Sequence, residues 1–258
     1  MTTNRPTATF VGGPTLQFTY AGLTFLTDPT FDAPGEYPSG PIVLRKLTGP
    51  AVPAQTLGSV DVVLLSHDQH ADNLDTAGRA LLTQVPTTLS TPDAAARIEG
   101  IIGLEPWQPY ELPRPEASSV TVTAVPAQHG PPGCEPLSGV VIGFVLQAQD
   151  WPTVYVSGDN ASIDVLADIT GRFPDIAIAV LFVGAANVGR FGAHNVTLGA
   201  VDAGAIAPLL ARAVVVPVHA EDWAHFTEPL AAFEKAYAAA APTARLVSPP
   251  RGVLFSIG

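Results

Sequence analysis

Side chains that commonly bind metals follow the strand-like apolar runs of this chain. Five of the six histidines lie at or shortly after the end of such a run: His67, His70, His129, His219 and His225. Asp159 follows the run 153–158 in the same way. Side chains at the carboxyl ends of strands can converge at one mouth of an α/β sheet. Because neutral imidazole and carboxylate are ligands of divalent metals such as zinc, the sequence predicts a metal site there.

Apolar and β-branched runs bounded by Gly, Pro or Asp predict the secondary structure. Strands are expected at 7–11, 16–20, 23–27, 60–66, 87–89, 120–127, 140–146, 153–157, 176–183, 214–218, 245–247 and 253–256. Helices are expected at 74–84, 92–100, 162–171, 197–210 and 228–240. Their predicted caps are Asp72 or Asn73, Thr91, Asn160, Thr197 and Thr227.

The order of these elements predicts the fold class. The early strands form a meander, with a hairpin turning at Ala21 and Gly22. Strands then alternate with helices, and the same succession returns later in the chain. This order favours an α/β (α+β) fold, a four-layer αββα sandwich of two mixed sheets in a single domain over 1–258. Residues 28–59 are rich in Pro and Gly and are predicted to form a long loop that frames a site.

Composition and charge limit which kinds of binding partner are expected for this chain. The net charge is −11, with only 12 Lys plus Arg, so a nucleic-acid partner is not expected. No apolar run reaches the roughly 18 residues of a membrane span, and residues 1–9 lack a secretion signal. The one cysteine, Cys134, excludes an internal disulfide. We therefore expect a soluble, cytoplasmic protein with a small-molecule substrate, and a homo-oligomer is left open.

Five motifs in order resemble those of the metallo-β-lactamase superfamily. Residues 65–75, Leu-Ser-His-Asp-Gln-His-Ala-Asp-Asn-Leu-Asp, resemble its His-x-His-x-Asp-His signature between a strand and a helix. The superfamily motif with the third histidine has a counterpart at 125–129. The motifs with the bridging aspartate and the last histidine have counterparts at 156–159 and 216–219, respectively. The stretch 26–29, Leu-Thr-Asp-Pro, resembles the early motif of the branch containing ascorbate-6-phosphate lactonase and N-acyl phosphatidylethanolamine phospholipase D.

The first motif departs from the family pattern and leaves two alignments open. Aligned from the strand, His67 is the first histidine and one residue is inserted before His70. Aligned from the helix, Asp68 takes the first place. In both alignments Asn73 stands where the last histidine should be. We prefer His67, because Ser66 ends the strand as in the family; Asp68 remains the competing ligand.

The resemblance implies two metal positions. The first would be held by His67, His70 and His129, and the second by Asp72 and His219, with Asp159 bridging. Asn73 is a weaker ligand than imidazole, so the second position is expected to be loose, empty or filled by a metal that prefers oxygen, such as manganese. Asp28 is expected to fix the end of its strand and to support the ligands from behind, with direct metal binding as the alternative. His194 and His225 are expected to bind substrate.

The expected activity is metal-dependent hydrolysis of an ester, lactone or phosphoester in a small molecule. One or two divalent metals are implied, zinc first, with manganese or iron as alternatives. Such a metal activates water at neutral pH, and Asp72 is the expected catalytic residue that holds this water and moves its proton. Two alternatives stay open: a mononuclear iron oxidoreductase of the same superfamily, and a relative that binds without catalysis.

Overall fold

Sixteen strands form the framework of the protein in a computed structural model that describes residues 5–39, 42–114, 118–240 and 245–258. Parts of two predicted segments, residues 1–4 of 1–9 and residues 40–41 of 28–59, lie outside the described residues. The strands are β1 Thr7–Gly12, β2 Thr15–Tyr20, β3 Leu23–Thr27, β4 Gly35–Ser39, β5 Ile42–Lys46, β6 Val62–Leu64, β7 Thr87–Ser90, β8 Ile101–Gly103, β9 Pro109–Leu112, β10 Val120–Ala127, β11 Val141–Gln147, β12 Thr153–Val156, β13 Ile176–Phe182, β14 Val214–Val218, β15 Arg245–Leu246 and β16 Leu254–Ser256.

Six α-helices accompany the strands. They are α1 Thr76–Leu82, α2 Pro92–Arg97, α3 Glu135–Ser138, α4 Ile163–Arg172, α5 Ala203–Leu209 and α6 Leu230–Ala240. Two 3₁₀ turns lie at Ala54–Thr56 and Ala200–Asp202. None of the helices in the described ranges has the length and apolar character needed to cross a membrane.

The strands form two mixed seven-stranded sheets and a separate two-stranded hairpin. The first sheet has the order β16-β1-β2-β3-β6-β7-β8, and the second has the order β15-β14-β13-β12-β11-β10-β9. Strands β3, β6, β7 and β8 run parallel, as do β12 to β15, while the meander β1–β3 and the run β9–β12 are antiparallel. The hairpin pairs β4 with β5.

The two sheets pack face to face, and helices cover their outer faces. Strand β13 shows the division, because Ile178, Val180 and Phe182 enter the core shared by both sheets. The alternate residues Ala179 and Leu181 enter a second core with α4, α5 and α6. A third core lies between the first sheet and α1. This alternation follows from the two-residue period of a strand, and it produces the αββα layers.

The predicted fold class is confirmed, and so are the twelve predicted strands, whose ends shift by at most two residues. The hairpin at Ala21 and Gly22 is also present, and both turn residues have positive φ angles of 54° and 87°. All five predicted helices are found, shorter at one or both ends or shifted by a residue, and the fourth is divided between a 3₁₀ turn and α5. Strands β8 and β9 and helix α3, each of three or four residues, were not predicted.

The prediction of an irregular loop over 28–59 is wrong in part, because β4 and β5 lie inside it. Strand β5 buries Leu44 and Lys46 and exposes Val43 and Arg45. A lysine therefore occupies an inward position, which breaks the alternation of apolar and polar residues by which a strand is recognised. Lys46 is tolerated there because its Nζ lies 3.2 Å from the buried Asp75 carboxylate.

Of the predicted caps, Thr91 is confirmed, since its hydroxyl accepts a hydrogen bond from Ala94 N at 3.1 Å. The caps of α1 and α4 are Asp75 and Ser162 instead. Because Asp75 caps α1, the side chains of Asp72 and Asn73 are available for contacts in the site. The hydroxyls of Thr197 and Thr227 do not cap helices in the described structure; they bond to the backbone of Ala186 and Ala185.

Helix α1 packs on the backbone of the segment after β3 through a glycine, which generates a stability prediction. A Cβ added at Gly78 would overlap the carbonyl oxygen of Pro29, whereas one added at Gly204, near the start of α5, would meet nothing within 4 Å. We expect Gly78→Ala to lower the free energy of unfolding by about 1–3 kcal/mol or more. Gly204→Ala should leave it unchanged or raise it by up to about 1 kcal/mol.

Thermal unfolding of both variants without added metal would check this expectation. Each kcal/mol should move Tm by about 2–4 °C in a domain of this size. Equal Tm values for the two variants would show that α1 does not depend on this close approach.

Candidate metal centre

Four strand ends of the two sheets bring the candidate ligands to one place. His67 follows β6, His129 follows β10, Asp159 follows β12 and His219 follows β14. The loop between β6 and α1 adds His70 and Asp72. These side chains form two groups whose ligand atoms lie within 4.8 Å of one another: His67, His70 and His129 in the first, and Asp72, Asp159 and His219 in the second.

In the first group, three imidazoles converge through their ring nitrogens. His70 Nδ1 lies 2.8 Å from His67 Nε2 and 3.2 Å from His129 Nε2. His67 is fully buried, and His129 is 6% exposed. Three ring nitrogens in such close contact form either hydrogen bonds or the inner face of a metal site.

Hydrogen bonds on the far side of two rings fix which nitrogen carries the proton. His129 Nδ1 lies 2.8 Å from the Val196 carbonyl oxygen, which can only accept. His67 Nδ1 lies 2.9 Å from Ser66 Oγ, whose own proton goes to the Asp28 carboxylate at 2.5 Å. Both Nδ1 atoms are therefore donors, and both Nε2 atoms present a lone pair to His70. This arrangement is typical of metal-binding histidines.

The hydrogen bonds among the three rings cannot satisfy both contacts of His70 Nδ1. Burial lowers the pKa of His67 well below its ordinary value and that of His70 to about 4, so both are neutral at pH 7. A neutral His70 can donate its Nδ1 proton to only one of the two Nε2 lone pairs. The other contact would be repulsive in a metal-free site, so the group fits a divalent metal such as zinc.

The second group places two carboxylates around a buried imidazole. His219 Nε2 lies 3.4 Å from Asp159 Oδ1 and 3.6 Å from Asp72 Oδ2. Burial alone would raise the pKa of Asp72 and Asp159, but the adjacent histidines hold both below the ordinary value. His219 itself is fully buried, and Asp159 raises its pKa against the effect of burial. Two carboxylates and an imidazole are a suitable donor set for a second divalent metal.

Asn73 and Asp28 lie behind the second group. The Asn73 amide nitrogen donates to Asp28 Oδ2 at 3.0 Å and to Asp159 Oδ1 at 3.1 Å. Asp28 also accepts hydrogen bonds from the backbone and the hydroxyl of Ser66, at 2.6 and 2.5 Å. Burial raises the pKa of Asp28 to about 7 despite these donors. Asp28 thus orients Ser66 and Asn73, as expected of a residue behind the ligands.

Asp68 points away from the imidazoles. Its carboxylate forms a bidentate pair with Arg97, whose Nη2 and Nε lie 2.6 and 2.9 Å from the two oxygens. Such a pair uses both carboxylate oxygens. The geometry therefore favours His67 over Asp68 as the first ligand.

The two remaining histidines are placed differently. His225 lines the recess above the two groups, and its Nε2 lies 2.9 Å from Asp72 Oδ2. His194 is exposed and lines a neighbouring surface groove with Gln128 and Ser162. The structure thus brings His225 to the site and leaves His194 outside the recess.

The recess encloses about 390 Å³ of non-protein space, its open mouth included. Its floor carries His70, Asp72, His129, Asp159 and His225. Its walls are mostly apolar, and they are formed by Ile42, Leu44, Ala186, Val188, Phe191 and Val196. Arg190 is the one lysine or arginine among the described lining residues, and its guanidinium also donates to the Leu137 carbonyl.

Sequence reasoning missed the wall residues. Ile42 and Leu44 come from the hairpin hidden in the predicted loop, and 186–196 is an irregular stretch. A signal was present in 42–46, where the run Ile-Val-Leu is typical of a strand. Ser66, by contrast, precedes His67 in the sequence and could have been assigned a supporting role.

The fold and this donor set define the class of the protein as a two-sheet sandwich with a metal-binding cluster at one sheet edge. The family model described as "Beta-lactamase superfamily domain" matches residues 24–220. The chain belongs to this family, which agrees with the resemblance of the five motifs.

Individual relatives extend this finding. A protein of Polaromonas sp. named "UPF0173 metal-dependent hydrolase" is 29% identical over an alignment of 189 residues, and the match covers 64% of this chain and 62% of that protein. The match thus spans less than two thirds of that relative's length. The structure of an isothiocyanate hydrolase from Delia radicum gut bacteria has a TM-score of 0.78 and 24% identity, and covers 98% of this chain and 100% of that one. A "possible metal-dependent hydrolase" from Veillonella parvula has a TM-score of 0.80 and 19% identity, with 98% and 99% covered.

The opposed placement of His67 and Asp68 generates a prediction about metal content. We expect His67→Ala to lose about one metal equivalent per chain, because the first group keeps only two imidazoles. Asp68→Ala should retain the metal content of the unmodified protein, since that carboxylate binds Arg97. Elemental analysis of both variants, purified without chelator or a histidine tag, would measure this. Metal loss in Asp68→Ala but not in His67→Ala would reverse the assignment.

Proposed function

We propose that the protein is a metal-dependent hydrolase that cleaves an ester, lactone or phosphoester bond of a small molecule. The observation that carries this proposal is the presence of two compact ligand groups at the floor of one recess. Asp159 lies beside both groups: its Oδ1 is 3.4 Å from His219 Nε2, and its Oδ2 is 3.4 Å from His129 Nδ1, the ring nitrogen that faces away from His70. This supports two adjacent metal positions.

Divalent metals bound there would lower the pKa of a bound water to about 7 and would polarise the carbonyl or phosphoryl oxygen of the substrate. The protein supplies the remaining functions. Asp72, held ionised beside His219 and His225, can accept a hydrogen bond from the attacking water and take its proton. Ser66 and the Val196 carbonyl hold His67 and His129 in the tautomer whose Nε2 lone pair points toward His70.

The walls of the recess support a substrate with an apolar body. Six apolar side chains and one arginine line the walls above the floor, so beyond the metals themselves the described lining offers a highly charged substrate little to replace its hydration. An ester or lactone with at most one negative charge suits this lining better than a polyphosphate does. The motif at 26–29, with Asp28 behind the ligands, supports the branch that contains ascorbate-6-phosphate lactonase and N-acyl phosphatidylethanolamine phospholipase D.

Metal content and hydrolysis should be measured on the same sample. We expect about two equivalents of zinc or manganese per chain, and turnover of members of a panel of esters, lactones and phosphodiesters. Isothiocyanates belong in the panel, because one of the structurally similar proteins is an isothiocyanate hydrolase. Removal of metal with a chelator should abolish turnover, and readdition should restore it.

Other outcomes of this experiment would change the proposal. A single equivalent of iron with oxygen consumption would support the oxidoreductase alternative. No metal after incubation with excess would support a binding protein, and full activity of the metal-free protein would contradict the metal-dependent mechanism.

The apolar wall generates a prediction about specificity. Phe191 lines the recess and is partly buried. We expect Phe191→Ala to raise KM for an apolar substrate about 5–30-fold, the equivalent of about 1–2 kcal/mol of lost apolar contact. The value of kcat should change little, because the wall does not touch the reacting atoms. Leu137→Ala is the matched control, since Leu137 is 61% exposed and outside the recess. Equal KM values in the two variants would place the substrate elsewhere.

A further inference from the structure

The second metal position lacks an imidazole that its family resemblance implies. Asn73 stands where the last histidine of the first motif should be. Both hydrogens of its amide are spent on the carboxylates of Asp28 and Asp159. Only the neutral oxygen Oδ1 is left, and it has no hydrogen-bond partner in the described structure. Asn73 can therefore offer at most a weak oxygen ligand.

His225 brings a second imidazole to the carboxylate of Asp72, which already lies beside His219. Asp72 Oδ2 lies 2.9 Å from His225 Nε2 and 3.6 Å from His219 Nε2. Donor atoms bound at about 2.0–2.2 Å to one zinc lie roughly 2.8–3.6 Å apart for angles of 90–109°. Both contacts fall in this range, as does the 3.4 Å between His219 and Asp159. Asp72, Asp159 and His219 form the compact group, and His225 lies next to it through its contact with Asp72.

The segment after β14 holds His225 firmly in this place. His219 and Asp222 have positive φ angles of 58° and 78°, so the chain turns back toward the recess. The His225 carbonyl accepts a hydrogen bond from Asn187 N at 3.0 Å. The Phe226 ring packs against both His225 and His219, with centroids 4.6 and 4.8 Å apart. The ring nitrogen Nε2 of His225 thus faces the carboxylate because the backbone fixes it there.

We infer that His225 is a ligand of the second metal position and supplies the imidazole that Asn73 lacks. The inference rests on the two-metal site proposed above. It reassigns His225 from substrate contact to metal binding, and it provides the second position with two imidazoles and two carboxylates. A position with this donor set binds zinc, so it does not need a metal that prefers oxygen.

Metal titration of the apoprotein tests this inference without reference to activity. Unmodified protein and three variants, His225→Ala, His194→Ala and Asn73→His/His225→Ala, would be stripped with chelator and titrated with cobalt(II). Calorimetry gives the number and affinity of sites, and the visible absorption of cobalt reports the ligands. His194→Ala is the matched control, because it removes an exposed histidine outside the recess.

We expect two sites in the unmodified protein and in His194→Ala. In His225→Ala, the second site should weaken more than about 100-fold, which exceeds the 10–100-fold typical of residues that act through a ligand. The double variant should recover the second site, since its new imidazole replaces the lost one. Melting of the apoproteins shows whether His225→Ala still folds; if it does not, His225→Gln takes its place.

Two results would overturn the inference, and they are distinguishable. Two sites of unchanged affinity in His225→Ala, or no recovery in the double variant, would show that His225 only orients Asp72 or contacts substrate. A single site in the unmodified protein would remove the second metal position itself, and with it the binuclear form of the proposed function.

Discussion

The packing of three buried carboxylates against four imidazoles, three of them buried, is the constraint on which the rest of the site depends. Asp28, Asp72 and Asp159 are each at most 5% exposed, and within the described ranges no salt bridge joins them to a lysine or arginine. Their partners are imidazoles and hydrogen-bond donors, and burying carboxylates that no fixed cation offsets is unfavourable. Divalent cations bound between the two ligand groups would balance these charges, so metal binding and stability of the site should be linked.

The sandwich supplies the rigidity that such a cluster needs. The core shared by the two sheets fixes the ends of β6, β10, β12 and β14 relative to one another, and the ligands follow these ends directly. A ligand that shifts by a fraction of an ångström loses its metal geometry, so close packing is part of the site. The hairpin β4–β5 is tied to this framework by the buried pair of Lys46 and Asp75, and Ile42 and Leu44 on β5 complete the wall.

Residues close in sequence to a recognisable motif were the easiest to predict. His67, His70 and Asp72 lie within six residues, and His129, Asp159 and His219 each directly follow a predicted strand. The role of Asp68 was not readable in this way, because His67 and Asp68 are adjacent and both could bind a metal. Arg97 decides between them, and it lies 29 residues further along the chain. The hairpin was missed for a similar reason, since the partner that makes an inward Lys46 acceptable is also distant in sequence.

The sequence by itself determined the two-sheet fold class, twelve of the sixteen described strands and the candidate ligands that follow them, because hydrophobic periodicity and short motifs are local properties. Only the tertiary structure showed that these side chains meet in two compact groups, that Asp68 faces an arginine, and that His225 reaches Asp72 across 153 residues. These contacts depend on how distant strand ends meet. That meeting is set by the packing of the two sheets and by turns whose backbone angles leave no periodic signal in the chain.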